Sequence, residues 1–138
     1  MRRWTTLMLV LMVAGTVGCM KHRMLIPRKE PSLTDLPVPL HFKQDTKQSF
    51  MLVEPPPGSR YHSYRYKGDA FVSDVVQFYE SEMPLYGWRL RDREIDEKRI
   101  MLVFEKAGAR TGEGPACIVA VGSEGRFCRA IQVLRIER

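Results

Sequence analysis

Between residues 71 and 88 the chain reads FVSDVVQFYESEMPLYGW, and its apolar positions recur with the period of a helix. Val72, Val75, Val76, Tyr79 and Met83 share one face, while Gln77, Glu80 and Ser81 occupy the other. Asp74, with Asp69 just ahead of it, suits the positive end of a helix dipole. Pro84 biases Met83 away from helical backbone, and Gly87 can supply a left-handed stop. The regular helix should therefore end near Glu82, with a tight Pro-Leu-Tyr-Gly turn that sends Trp88 into the core.

On either side of this helix the pattern is that of strands. SFMLVE, residues 49 to 54, is a short apolar run ended by PPPGS, which cannot continue a central strand. RYHSYRYKG, residues 60 to 68, alternates, with His62, Tyr64 and Tyr66 on one face and Tyr61, Ser63, Arg65 and Lys67 on the other. The Pro-Gly break between the two runs predicts a hairpin. Further strands follow around 88 to 94 and 98 to 106, then, after the loop AGARTGEG, around 116 to 122 and 126 to 136. The order is ββαββββ, an α+β domain with one amphipathic helix on a mainly antiparallel sheet of about five to six strands.

The strands are apolar on both sides. Ile100, Leu102 and Phe104 point one way and Met101 and Val103 the other, while Leu134 and Ile136 oppose Ile131 and Val133. One helix covers only one face of such a sheet. Either a Pro-rich segment or a long loop folds back over the second face, or that face binds something.

Ahead of residue 48 the pattern is different. Met1-Arg2-Arg3-Trp4 leads into an apolar segment from Leu7 to Val17, and the chain turns polar at Lys21. Eleven residues rise only about 16 Å as a helix, against a hydrocarbon core of roughly 30 Å, so a signal peptide fits better than a spanning helix. With Thr16-Val17-Gly18-Cys19 at its end, the segment resembles the signal peptide of bacterial lipoproteins, although Thr16 stands where the lipobox usually has leucine. The resemblance implies removal of residues 1 to 18 and acylation of Cys19, the lipidation site, as residue one of the mature chain. Two or more acyl chains anchor stably, at about 0.8 kcal/mol per buried methylene. Met20 is not the aspartate associated with inner-membrane retention in enteric bacteria, so the implied destination is the outer membrane, facing the periplasm.

Residues 19 to 47 then read as a lipidated N-terminus and a Pro-rich basic tether. KHRMLIPRKEPSLTDLPVPLHF has no period of 2 or 3.6, and it brings Lys21, Arg23, Arg28 and Lys29 beside the anchor. Anionic head groups attract such charges at about 1 kcal/mol each near the surface. The remainder, 48 to 138, is long enough for a single core and too short for two.

The whole chain carries a formal net charge of +6; without residues 1 to 18 it keeps 20 Lys and Arg against 16 Asp and Glu. This mild balance points to no particular polymer. Of three cysteines, Cys19 is the odd one, leaving Cys117 and Cys128 as a disulfide candidate in an oxidising compartment. In CIVAVGSEGRFC a Gly122-Ser123 turn puts Cys117 opposite Cys128, within bonding distance. A Ser123-Glu124 turn puts Cys117 opposite Ala130 and Cys128 opposite Val119.

FYESEMPLYGW, followed by LVFEK and a cysteine-bearing strand, is similar to small exported bacterial proteins of unknown function with an FYxxxMPxxGW core. No activity travels with that resemblance. Its matching positions, Phe78, Tyr79, Met83, Pro84, Gly87 and Trp88, read as helix face, stop and core.

No nucleophile elbow, zinc-protease, phosphate-loop or dinucleotide motif occurs, and His22, His41 and His62 are too scattered to predict a metal cluster. We therefore expect no catalytic residues, no metal and no cofactor. The best binding candidate is the basic aromatic strand, Arg60, Tyr61, Tyr64, Arg65, Tyr66 and Lys67, which could stack on and neutralise an anionic polymer. Export favours an anionic envelope polymer or an envelope protein over nucleic acid. The expected function is a non-enzymatic, lipid-anchored interaction or structural module of the cell envelope. The alternative is a small enzyme or ligand carrier with a pocket between helix and sheet near Tyr79 and Trp88.

Overall fold

The computed structural model describes residues 24–30 and 33–137. The leader and Cys19 lie outside the described residues. Among the described residues the elements run β1 (Pro27–Glu30), β2 (Leu33–Pro39), β3 (Lys43–Gln44), β4 (Arg60–Phe71), α1 (Val72–Glu82), a 3-10 turn (Met83–Tyr86), β5 (Trp88–Ile95), β6 (Arg99–Lys106), β7 (Ala116–Glu124) and β8 (Phe127–Glu137). Strands β3 to β8 form one antiparallel sheet in the order β3-β4-β8-β7-β6-β5, and β1 pairs with β2 apart from it. This is the predicted helix-on-sheet α+β architecture.

The helix ends as its residues dictate. Glu82 is its last residue, the 3-10 turn begins at Met83, and Gly87 takes φ +82° with its N–H donating to the carbonyls of Met83 and Pro84. Trp88 then enters the core and is fully buried. At the other end no side chain caps α1; instead the Val72 N–H donates to the Arg126 carbonyl at 2.9 Å, tying the helix start to the β7–β8 turn.

The first face of the sheet carries α1 and the β1–β2 hairpin. Val75, Tyr79 and Met83 pack with Trp88, Leu102, Phe104, Val119 and Ile131, and Leu36, Val38 and Phe42 join the same cluster. The predicted tether is therefore corrected in its second half, where Leu36, Val38 and Phe42 are core while Leu40 and His41 stay exposed. Three observations explain the docking. A Cβ at Gly68 would stand 2.7 Å from the Phe42 ring, so the ring occupies the space that glycine leaves. Asp35 accepts from Arg135 at 2.8 Å and from Lys106 at 3.4 Å, and its carbonyl accepts from the Trp88 indole at 2.8 Å. Lys106 in turn sits 4.3 Å above the Trp88 ring.

The second face is covered differently. The predicted strand at 49 to 54 and its hairpin with β4 do not form; β4 pairs with β3 and β8, and residues 49 to 59 make a strap. Val53 and Leu52 lie over Ala116, Ala120, Leu134 and Ile136. Gln132 substitutes for a neighbouring strand. Its side-chain oxygen accepts from the N–H groups of Leu52 and Val53 at 2.7 and 3.0 Å, and its amide donates to the Val53 carbonyl at 3.0 Å and the Ser63 hydroxyl at 3.1 Å. At the strap's beginning, the Ser49 hydroxyl and N–H both donate to Asp45, which holds that carboxyl below its usual range.

The β7–β8 connection corrects both proposed registers. Gly125 takes φ +62° in a turn closed by Glu124 opposite Phe127, while Gly122 lies within β7 beside a register shift. A Cβ at Gly122 would meet the Ala130 carbonyl and Leu52 at 3.3 Å, so this glycine admits the strap rather than making the turn. Cys117 faces Arg135 and Cys128 faces Ser123. Six residues of strand, about 20 Å, separate the two positions, far beyond bonding distance, and both thiols are free and buried.

Candidate functional site

A wide opening runs along α1. Met24, Leu25, Ile26 and Pro27 form one wall, and Gln77, Phe78, Ser81, Glu82 and Leu85 the other, around about 620 Å³. The wall at 24 to 27 is held by the Ile26 carbonyl, which accepts from Leu40 N–H at 2.8 Å. Leu25 and Asp74 are shared with a second hollow of about 330 Å³ at the start of the helix, where His41, Asp69, Phe71, Phe127 and Arg129 converge. The two hollows adjoin at Leu25 and Asp74, forming a groove between the incoming chain and the helix.

Its chemistry is an apolar body with a few fixed charges. Phe71 and Phe127 stack with ring centres 5.3 Å apart, and Arg126 and Arg129 lie 5.8 and 5.7 Å from the Phe127 ring. Arg129 pairs with Asp69 and approaches Glu124 at 3.8 Å. Asp74 is buried in the first turn of α1, where the helix dipole favours a carboxylate. Ser81 donates back to the Gln77 carbonyl at 2.8 Å, so its hydroxyl is committed to the helix backbone. The arrangement suits contact with an apolar group whose edge is polar.

The basic aromatic strand does not make one platform. Tyr66 is wholly buried in the first-face core and Tyr64 packs partly against it, whereas Arg65 is buried on the second face beside Gln132. Lys67 donates to the Ser49 hydroxyl at 2.6 Å, stands 3.8 Å from Asp45 and lies 5.9 Å from the centre of the Phe50 ring. It fastens the strap. Arg60 and Tyr61 remain exposed, next to His62, which is 3.5 Å from Glu137. The alternation read from the sequence is correct, and that same alternation splits the six residues between two faces, one of them core.

Tyr79 and Trp88, between helix and sheet, are both buried in the core and neither lines any of these hollows. Burial drives the Tyr79 phenol well above its ordinary range, with Tyr66, Cys117 and Cys128 adding to the effect. It likewise raises the Cys117 thiol and pushes Cys128 up to about 12. Both are protonated, inert core thiols at neutral pH. Glu105, also buried, is held by Arg91 at 3.1 Å and Arg89 at 3.7 Å, with Gly112 N–H donating at 3.2 Å. Among the described residues no group of His, Cys, Asp or Glu is arranged to hold a metal, and no helix is long and apolar enough to cross a membrane.

The groove was not anticipated. Its signal was the apolar triplet Met24-Leu25-Ile26 inside an otherwise basic, Pro-rich stretch, but nothing local shows that this triplet lies along α1. Comparison with protein-family models, with curated proteins and with solved structures returns no match.

Proposed function

We propose that the chain is a lipoprotein of the bacterial cell envelope, anchored through acyl chains on Cys19 and presenting a non-enzymatic α+β module to the periplasm, with the outer membrane as its destination. One observation carries this reading. The cysteine stands at the junction of a positively charged start, an eleven-residue apolar segment and a polar chain, where lipoprotein processing requires it. Beyond that junction the described residues form a body with a filled core and two covered sheet faces, suited to holding a surface in place. Its partner is an envelope protein or an anionic envelope polymer, with Arg60 and Tyr61 left exposed on β4 as the remaining contact residues of that strand. The test is membrane fractionation of the full chain and of Cys19→Ala in a bacterial host. Wild type should sediment with membranes and the variant should appear in the soluble envelope fraction; identical distributions would overturn the reading.

A further inference from the structure

The rim of the groove gathers three of the four most exposed large apolar side chains of the described residues; the other, Ile95 at 70%, stands apart at the end of β5. Met24 is 93% exposed, Leu85 76% and Ile26 61%. All three line the same hollow. Leu40, also exposed, is joined to Ile26 through its backbone N–H. Isolated exposed apolar residues are ordinary, but convergence of two chain segments, 24–27 and the turn after α1, on one apolar rim marks an interaction surface.

The position of the anchor says what that surface meets. Cys19 precedes Met24 by five residues. Five peptide steps span at most about 18 Å even when fully extended. Acyl chains on Cys19 therefore keep Met24 within that distance of the head groups, whatever path the intervening chain takes. A folded partner would have to enter this gap to reach the rim, whereas the bilayer is already there. Lys21 and Arg23 fall inside the same short span, where anionic head groups attract them.

We infer that the rim formed by Met24, Ile26 and Leu85 is a bilayer-contacting surface: these side chains enter the boundary between head groups and acyl chains, and lipid closes the groove along α1. The inference rests on the anchored reading above and adds an orientation to it. The strap, on the opposite face of the sheet from α1, is turned away from the membrane. The module is then a platform seated on the bilayer, not a body swinging on a leash.

The test places tryptophan reporters in the full-length protein, purified from membranes and reconstituted in vesicles of phosphatidylethanolamine and phosphatidylglycerol brominated in the upper acyl chain. Leu85→Trp reports the rim, Ile26→Trp repeats the measurement on a separate segment, and Met51→Trp, exposed on the strap, is the reference. Trp88 is buried and supplies a constant background. Intact mass is recorded for each sample. With Cys19 acylated, Leu85→Trp and Ile26→Trp should lose most of their added emission and Met51→Trp should keep it. Acylated protein in which the rim reporters stay bright, or in which all three dim alike, overturns the inference and leaves the anchor standing. Unacylated Cys19 overturns both together.

Discussion

The two faces of the sheet are closed by different chemistry. On the helix face, α1 and the β1–β2 hairpin bring large apolar side chains, with Trp88, Tyr79, Tyr66, Phe42 and Phe104 all fully buried. On the strap face a short irregular segment lies over Ala116, Ala120, Leu134 and Ile136, and its backbone is held by two side chains, the Gln132 amide at Leu52 and Val53 and Arg99 at the Leu52 carbonyl. The first closure is distributed over many contacts, each replaceable in part. The second depends on a few polar side chains, and loss of Gln132 leaves the N–H groups of Leu52 and Val53 without their partner. A sheet with apolar side chains on both sides thus needs only one helix, provided an extended segment can be hydrogen-bonded from below.

The strongest way to break the comparison is at the helix face. Trp88→Ala removes the largest buried side chain, the Lys106 contact and the hydrogen bond to Asp35. It should cost about 3–5 kcal/mol, read as a lowered urea midpoint. Gln132→Ala should cost less, about 2–3 kcal/mol, and act locally. Amide exchange at Leu52 and Val53 should accelerate by orders of magnitude while amides of β6 stay protected. Uniform acceleration across the sheet would show that the two faces are not separable.

Gly87→Ala sharpens the helix side. With φ at +82°, a side chain there should cost about 1–2 kcal/mol without disturbing the strap amides. A test by pH concerns the two core thiols. Folded, both hold their protons more tightly than at the ordinary 9.0, Cys128 up to about 12. Unfolded chains therefore release protons that folded chains keep, so the thiol contribution is complete below pH 9 and is lost as pH rises toward 12. Urea midpoints at pH 8 and pH 10.5 should diverge more for wild type than for a Cys117→Ala/Cys128→Ala double variant. Equal divergence would contradict the burial of these thiols.

What could be read from the chain alone follows the same division. The helix from Val72 to Glu82, its stop at Pro84 and Gly87, and the strands at 88 to 136 are visible because local periodicity and turn residues specify them. The β1–β2 hairpin was hidden because Pro37 and Pro39 read as breaks, while the alternation of Leu36 and Val38 is only two residues long. Pro is tolerated there because this pair stands apart from the main sheet. The strap was read as a strand because FMLV is apolar; that its partner is a side chain some 80 positions away has no local signature. The cysteine pairing failed for a related reason, since Gly122 looks like a turn residue until Leu52 is seen resting on it. The groove, assembled from residues 24 to 27 and the far side of α1, was illegible for want of that same long-range placement.

The most direct measurement is the intact mass of the protein purified from the membranes of a bacterial host, with thiols alkylated after denaturation. A lipid-anchored platform requires a chain that begins at Cys19, carries acyl mass, and takes up two alkyl groups at Cys117 and Cys128. A chain that keeps Met1 with an unmodified Cys19 would contradict the anchored reading and, with it, the orientation of the groove toward lipid.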